Sequence, residues 1–313
     1  MGAWISLEDH RDVRSPLTKQ MLAPLRGGVK RVQFNEALAN NDYPKLAALL
    51  ARHPKVILRV YGDYSHTIRD LEFLSHFPQL RRFWLNLWDL AEFDGMRHLS
   101  DEMELMSLGP TKTKAFLLRF LERFSDFREL VVERHTRDLD VIAGLSLTLL
   151  GVGASVLPNL ESLGQLRTLS LAGGTSKGLS HLPQFGKLTS LTLGRLRYLA
   201  DLSPLAQLSQ LKDLRSFWQP KIKRIPSFRH LKSLRTVEFD TLKGLTDLTG
   251  LAEAPSLEKI TIVGARLDPG ILKPLASHPK LRRAHIGLGS VQSNDAASKI
   301  LRISGSYGGQ KLK

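Results

Sequence analysis

One apolar skeleton recurs along the chain at nearly constant spacing. It reads Leu-x-x-Leu-x-Leu in its cleanest copy, Leu166-Arg-Thr-Leu169-Ser-Leu171. Downstream it returns as Leu188/Leu191/Leu193, Leu211/Leu214, Leu234/Val237/Phe239, Leu257/Ile260/Ile262 and Leu281/Ile286. Upstream it reads Ile142/Leu145/Leu147, Phe127/Leu130/Val132, Met103/Met106/Leu108 and Leu80/Phe83/Leu85, with fainter copies opening at Lys55 and Val29. The first positions step by 22 to 26 residues, except for a single step of 15 between Phe127 and Ile142. Alternating side chains of a strand point to opposite faces, so positions 4 and 6 of each copy are expected in the core and positions 3, 5 and 7 on the outside.

A period of about 20 to 29 residues with this apolar pattern is the signature of a leucine-rich repeat solenoid. The predicted fold is an α/β solenoid: a leucine-rich repeat horseshoe with a parallel concave β-sheet and a mixed helical and 3₁₀ convex side. About twelve repeats fill residues 27–303, irregular near 127–142, between an N-terminal cap or arm at 1–26 and a C-terminal tail at 304–313. Solenoid coils touch only their neighbours, so 313 residues need not split into separate cores.

The return segments carry their own signals. In Tyr43–Arg52, leucines at 46, 49 and 50 form one helical stripe, and His53-Pro54 stops the helix before a strand at Val56–Tyr61. The same device recurs at His76-Phe-Pro78 and His278-Pro279, and these histidines read as helix stops in preference to metal ligands. Lys114–Phe124 reads as an amphipathic helix with Phe116, Leu117, Phe120, Leu121 and Phe124 on one face. A last short strand is expected at Ile300–Ile303.

The second half of the chain resembles the bacterial leucine-rich repeats of the internalin type. The resemblance rests on Asp201-Leu-Ser-Pro-Leu205-Ala-Gln-Leu208-Ser-Gln-Leu211 and Asp247-Leu-Thr-Gly-Leu251-Ala-Glu-Ala-Pro-Ser-Leu257. It implies a curved binding surface and brings no catalytic residue with it. The family's asparagine at the ninth position is absent, since that position holds Trp88, Leu196, Gln219, Leu242 and Ala265 among others. The turns must therefore be held by packing or by other hydrogen bonds.

Between the leucines lies the chemistry. The outward positions run from Arg31, Gln33 and Asn35 through a floor of small residues, Gly144, Ser146, Thr148, Thr168, Ser170, Ala172, Ser190, Thr192 and Gly194. Two richer patches flank that floor: Arg59, Tyr61, Arg82, Trp84 and Asn86, then Arg215, Phe217, Trp218, Glu238 and Asp240. Clustered Trp, Tyr and Arg are the residue types enriched at binding hot spots. Position 2 is basic in seven of twelve copies, at Lys30, Arg81, Arg128, Arg167, Lys212, Arg235 and Arg282. These form a basic rim, or alternatively complement the C-terminal ends of the return helices.

Charge sharpens this. Lys and Arg number 45 against 30 Asp and Glu, a net charge of +15, which attracts acidic proteins, nucleic acids or anionic membranes. No catalytic or phosphate-binding motif occurs, and the pairs Asp9-His10 and Glu133-Arg-His135 read as turn residues. There is no cysteine and no apolar run of membrane-spanning length. The N-terminus lacks a secretory pattern, so a cytoplasmic location is expected, while Met1-Gly2-Ala-Trp-Ile-Ser6 fits a short acylation pattern. The expected function is non-enzymatic binding of an acidic protein partner, such as a toxin or effector, without a cofactor. The alternative is nucleic-acid binding through the basic surface.

Overall fold

A short strand, a turn and a return segment make up each coil, because positions 4 and 6 must be buried while the backbone of every strand needs a hydrogen-bonding neighbour. The computed structural model describes residues 9–62, 67–90, 92–112, 117–134, 137–153, 162–173, 179–304 and 311–312. Met1–Ser6, with its acylation pattern, and His135 lie outside the described residues. The chain divides into two compact units, Met1–Val152 and Gly153–Lys313.

In the first unit, β1 (His10–Asp12), β2 (Arg31–Phe34), β3 (Ile57–Tyr61), β4 (Arg82–Asn86), β5 (Leu105–Leu108), β6 (Glu129–Val132) and β7 (Leu149–Val152) pair in parallel, each with the next. The sheet thus begins at His10, within the segment read from sequence as a cap or arm. Helix α1 (Tyr43–Ala51) buries Tyr43, Leu46, Leu49 and Leu50, the stripe expected from its leucine spacing. His53 follows its C-cap and accepts a hydrogen bond from the Leu25 amide at 3.3 Å, while His76 stacks on Tyr43 with ring centroids 5.5 Å apart.

The second unit repeats the plan. Strands β8 (Thr168–Ala172), β9 (Ser190–Gly194), β10 (Asp213–Phe217), β11 (Thr236–Asp240), β12 (Lys259–Val263) and β13 (Arg283–Ile286) pair in parallel. Their return segments are mostly short 3₁₀ helices, with one turn of α-helix at α2 (Thr249–Ala252). The position-2 carbonyls staple neighbouring coils: that of Lys212 accepts from the amides of Arg235 and Thr236, at 2.8 and 3.0 Å. His278 holds its turn, accepting at Nδ1 from the Leu281 amide at 3.1 Å and meeting the Ala254 carbonyl at Nε2, 2.8 Å away.

Three sequence expectations need correction. The first is the register at the short step. Glu129 pairs with Leu149 and Leu130 with Leu150, so the copy is Leu147/Leu150/Val152, not Ile142/Leu145/Leu147. Ile142 lies in a 3₁₀ helix, Leu139–Gly144. The coil is 20 residues long and has room for a return segment, which a 15-residue step lacks. Gly144, Ser146 and Thr148 consequently leave the strand floor, and Leu149 and Gly151 take their place. Arg134 and Asp138, which precede that 3₁₀ helix, are left-handed at φ of 64° and 55°.

The second correction concerns the helix read over Lys114–Phe124. Its described part is a 3₁₀ helix at Arg119–Arg123. Leu118, Leu121 and Phe124 are buried, at the spacing of three that a 3₁₀ turn requires, while Leu117 points outward, 50% exposed. The third is at the C-terminal end, where α3 (Val291–Leu301) takes up Ile300 and Leu301 of the strand expected at Ile300–Ile303 and leaves only Ile303 in a strand. Ser290 caps α3 by accepting from the Ser293 amide at 3.1 Å, and Ala297 and Leu301 close the last coil. A two-residue strand β14 (Ile303–Ser304) follows and pairs antiparallel with β15 (Lys311–Leu312), which lies against β13.

Packing takes over the role of the absent asparagines. At the ninth position Leu196, Gln219, Leu242 and Ala265 are buried, and the residue before each turns left-handed: Arg195, Trp218, Thr241 and Gly264 have φ of 53° to 75°. That turn carries the backbone ladder one residue beyond the strands. The amides of Arg195, Trp218 and Thr241 donate to Phe217, Asp240 and Val263 of the next coil at 2.8 to 3.0 Å.

A cation and aromatic cluster on the first sheet as candidate functional site

The outward face of β2 to β6 brings the first predicted patch together. Arg59 is its hub. The Arg59 guanidinium carbon lies 4.6 Å from the Tyr61 ring centroid and 4.7 Å from that of Trp84. Its Nε donates to Asn86 Oδ1 and its Nη1 to Gln33 Oε1, both at 3.1 Å. Arg59 and Trp84 are direct neighbours in the β3–β4 register, as are Tyr61 and Asn86, so position 5 of one coil meets position 5 of the next. Asn86 fits because residue 109 of the next coil is glycine; a Cβ there would strike its amide nitrogen.

Arg82, the remaining predicted member, turns the other way along the sheet. Its Nη2 donates to Glu129 Oε1 at 3.0 Å, and Glu104 stands 3.8 Å from Nη1. Between Trp84 and Arg82 the face opens into a cleft of about 290 Å³. Its walls include Ile57, Leu105, Val131 and Leu149, and Lys30, Lys55 and Arg82 supply its positive charge against one acid, Glu129.

Arg31 and Gln33 depart from expectation. Both sit at outward positions, yet they are buried, at 0% and 5% exposure. Neighbouring side chains meet them: the Arg31 guanidinium carbon lies 5.2 Å from the ring centroid of Trp84, two strands along, and Gln33 Nε2 donates at 2.9 Å to Oδ1 of Asp12, its partner on the adjacent strand. Burial lowers the pKa of Arg31, opposed by the charge of Asp12. Burial also lowers that of Arg59, and the positive charge of Arg31 adds to the effect.

The second predicted patch has a different character. Arg215 and Glu238 face each other across β10 and β11 and form an ion pair at 2.7 Å. The tip of the Phe217 ring lies over Gly194, where any Cβ would strike it. Asp240 accepts from the Thr241 hydroxyl at 2.7 Å. Trp218 is 54% exposed in the left-handed turn after β10, the one member of this patch that stands out into solvent. Beside it Gln219 is fully buried, with no partner for its side-chain amide among the described residues.

Four of the seven rim cations are paired across or within coils. Lys30 meets Asp9 at 2.7 Å, Arg81 meets Glu102 and Glu104, Arg128 meets Asp126 at 3.6 Å and Arg235 meets Glu258 at 3.8 Å. Arg167, Lys212 and Arg282 have no ion pair among the described residues. The alternative role at helix ends does not fit Arg81, Arg128, Lys212 and Arg282, whose preceding helices end at His76, Arg123, Gln207 and Leu275, because a helix dipole acts only within its last turn.

Among the described residues no group of three or more His, Asp or Glu could hold a metal ion, and no helix is long and apolar enough to cross a membrane.

Solved structures share this architecture. An internalin of Listeria monocytogenes superposes with a TM-score of 0.53 at 19% identity, covering 86% of this chain and 76% of its own. A leucine-rich repeat protein of Leptospira interrogans gives 0.53 at 14% identity, covering 89% and 91%. The fold is the internalin-type leucine-rich repeat. No family model and no curated protein matches the sequence, so the likeness is one of fold. Within this leucine-rich repeat chain, the sequence-read residues Arg59, Tyr61, Arg82, Trp84 and Asn86 form one connected cluster. The cleft residues Lys55, Leu105, Glu129, Val131 and Leu149 were missed. Leu149 was hidden by the register error, Lys55 stands at the first position of its copy, and the others carry no signal beyond their outward positions.

Proposed function

We propose that the protein is a non-enzymatic binding module that recognises an acidic protein partner, such as a toxin or effector, across the outward face of its first sheet. The observation that carries this reading is the cluster in which Arg59 is held between Tyr61 and Trp84 beside a partly apolar, positively lined cleft. Rigid aromatic platforms presenting arginine give large contact area at small entropic cost, the composition of interface hot spots. The net charge of +15 favours acidic partners through steering. Trp218, with the nearby Lys221, Lys223 and Arg224, is a second point of contact in this reading.

Affinity capture from the native lysate with wild type, Trp84→Ala and Trp218→Ala tests it. Trp84→Ala is expected to lose the captured protein while keeping the far-ultraviolet dichroism of the wild type, and Trp218→Ala to weaken capture. Retention of the same protein by both variants would count against the reading.

A further inference from the structure

The Arg31 guanidinium has no hydrogen-bonded partner among the described residues, at any of its three nitrogens. The side chain is fully buried. Burying a charge without pairing it is expensive, and buried polar groups in native proteins are nearly always satisfied. Stacking on Trp84 offsets only part of that cost.

The surroundings specify what would complete it. Two guanidiniums, those of Arg31 and Arg59, lie within 5.2 Å of the same indole centroid. Among the described residues, the acids whose charge acts on Arg31 are engaged elsewhere: Asp12 with His10 and Gln33, and Asp9 with Lys30. Arg59 is held by two neutral hydrogen bonds and by stacking. An incoming anion can replace those contacts with stronger, bidentate ones and open the way to Arg31. Trp84 also forms a wall of the adjoining cleft, whose other walls, Ile57, Leu105, Val131 and Leu149, are apolar. A phosphodiester backbone has nothing to place against such walls, whereas an acidic peptide segment carrying a leucine or similar side chain does.

We propose that Arg31 and Arg59, together with the cleft beside Trp84, hold an acidic segment of the protein partner. One of its carboxylates pairs with the Arg31 guanidinium, and a neighbouring apolar side chain packs against Leu105, Val131 and Leu149. This deepens the function proposed above and rests on it.

The test uses the full chain and a blocked synthetic peptide alternating Glu and Leu. Controls are its Gln and Leu counterpart and a single-stranded oligonucleotide of equal charge. Calorimetric titration is expected to show binding of the Glu and Leu peptide alone. Arg31→Met should weaken it at least about tenfold, with a melting temperature equal to or above that of wild type, because an apolar side chain of similar length replaces an unpartnered buried charge. Arg31→Lys should retain part of the affinity, keeping charge but losing the fork. No peptide binding by wild type up to about 1 mM, equal binding by Arg31→Met, preference for the oligonucleotide, or a lower melting temperature for Arg31→Met would each overturn the proposal. If Trp84→Ala loses the captured protein while Arg31→Met keeps it, the binding function stands and the carboxylate anchor falls.

Discussion

Glu129 is the position where charge balance at the cleft can be measured against both stability and binding. Arg82 Nη2 and Glu129 Oε1 are 3.0 Å apart, with side chains 20% and 28% exposed. Unscreened attraction at that distance is about 5 to 6 kcal/mol for an effective dielectric of about 20. Desolvation and side-chain entropy remove most of it: exposed pairs retain about 0.2 to 1 kcal/mol, while hydrogen bonds to charged groups contribute about 1.5 to 3 kcal/mol. A pair three-quarters buried falls between these, and Glu104, 3.8 Å away, takes up part of the loss. Glu129→Gln should therefore cost about 1 kcal/mol in urea unfolding followed by dichroism, with an unchanged m-value. In a cycle with Arg82→Met, the coupling should be of the same size. Freeing Arg82 should also raise affinity for the Glu and Leu peptide roughly threefold to tenfold, with a steeper salt dependence. Coupling below about 0.3 kcal/mol together with unaltered peptide binding would show that the cleft's charges are not engaged as described.

Other expectations follow from particular contacts. Leu149→Glu should change stability by less than about 1 kcal/mol while Leu150→Glu costs more than about 3 kcal/mol, because Leu150 is fully buried and Leu149 is not; equal effects in thermal melts would contradict the corrected register. Gly194→Val should cost about 1 to 3 kcal/mol by displacing the Phe217 ring, and a melting temperature like that of wild type would contradict that packing. Asp42 accepts from Lys45 and Ser15, both at 2.8 Å, and these bonds lower its pKa below the usual 3.8. Its folded form thus binds protons less readily than its unfolded form. The stabilisation is complete above the unfolded value and fades as pH falls from there through the lower folded value. Asp42→Asn should accordingly flatten the acid limb of the stability profile measured by dichroism.

Most of the sheet was readable because strand periodicity and coil length constrain each other. Arg31, Leu58, Leu85, Leu191, Val237 and Ile260 all pair in the register their spacing predicts. The register failed where two overlapping copies satisfy the same apolar pattern, Ile142/Leu145/Leu147 and Leu147/Leu150/Val152. Only the room needed for a return segment distinguishes them. The run around Phe120 misled in another way: apolar residues at nearly every position fit both helical periods, and the tighter 3₁₀ turn buries Leu118 in place of Leu117. Helix α3 went unread because its sequence is mostly polar and only Ala297 and Leu301 are buried.

The candidate site was legible as a list and illegible as a network. Outward positions on successive strands named Arg59, Tyr61, Arg82, Trp84 and Asn86. Which cation stacks and which is ion-paired depends on side-chain reach across two strands, which spacing does not encode. Arg215 and Arg59 occupy equivalent positions, yet one meets Glu238 and the other an indole. Arg31 shows the same limit most sharply, since it is buried at an outward position and meets the ring of Trp84, two strands along.

The central claim, that a protein partner is held on the outward face at Trp84, is tested most directly by position-specific photo-crosslinking. Trp84 would be replaced by a photoreactive phenylalanine analogue, and Glu122, exposed on a return segment of the same unit, would carry it in a control. Irradiation in native lysate should give one discrete protein adduct from position 84, competed by the unlabelled wild-type chain and absent from position 122. No adduct from position 84, or the same adduct from both positions, would contradict the claim.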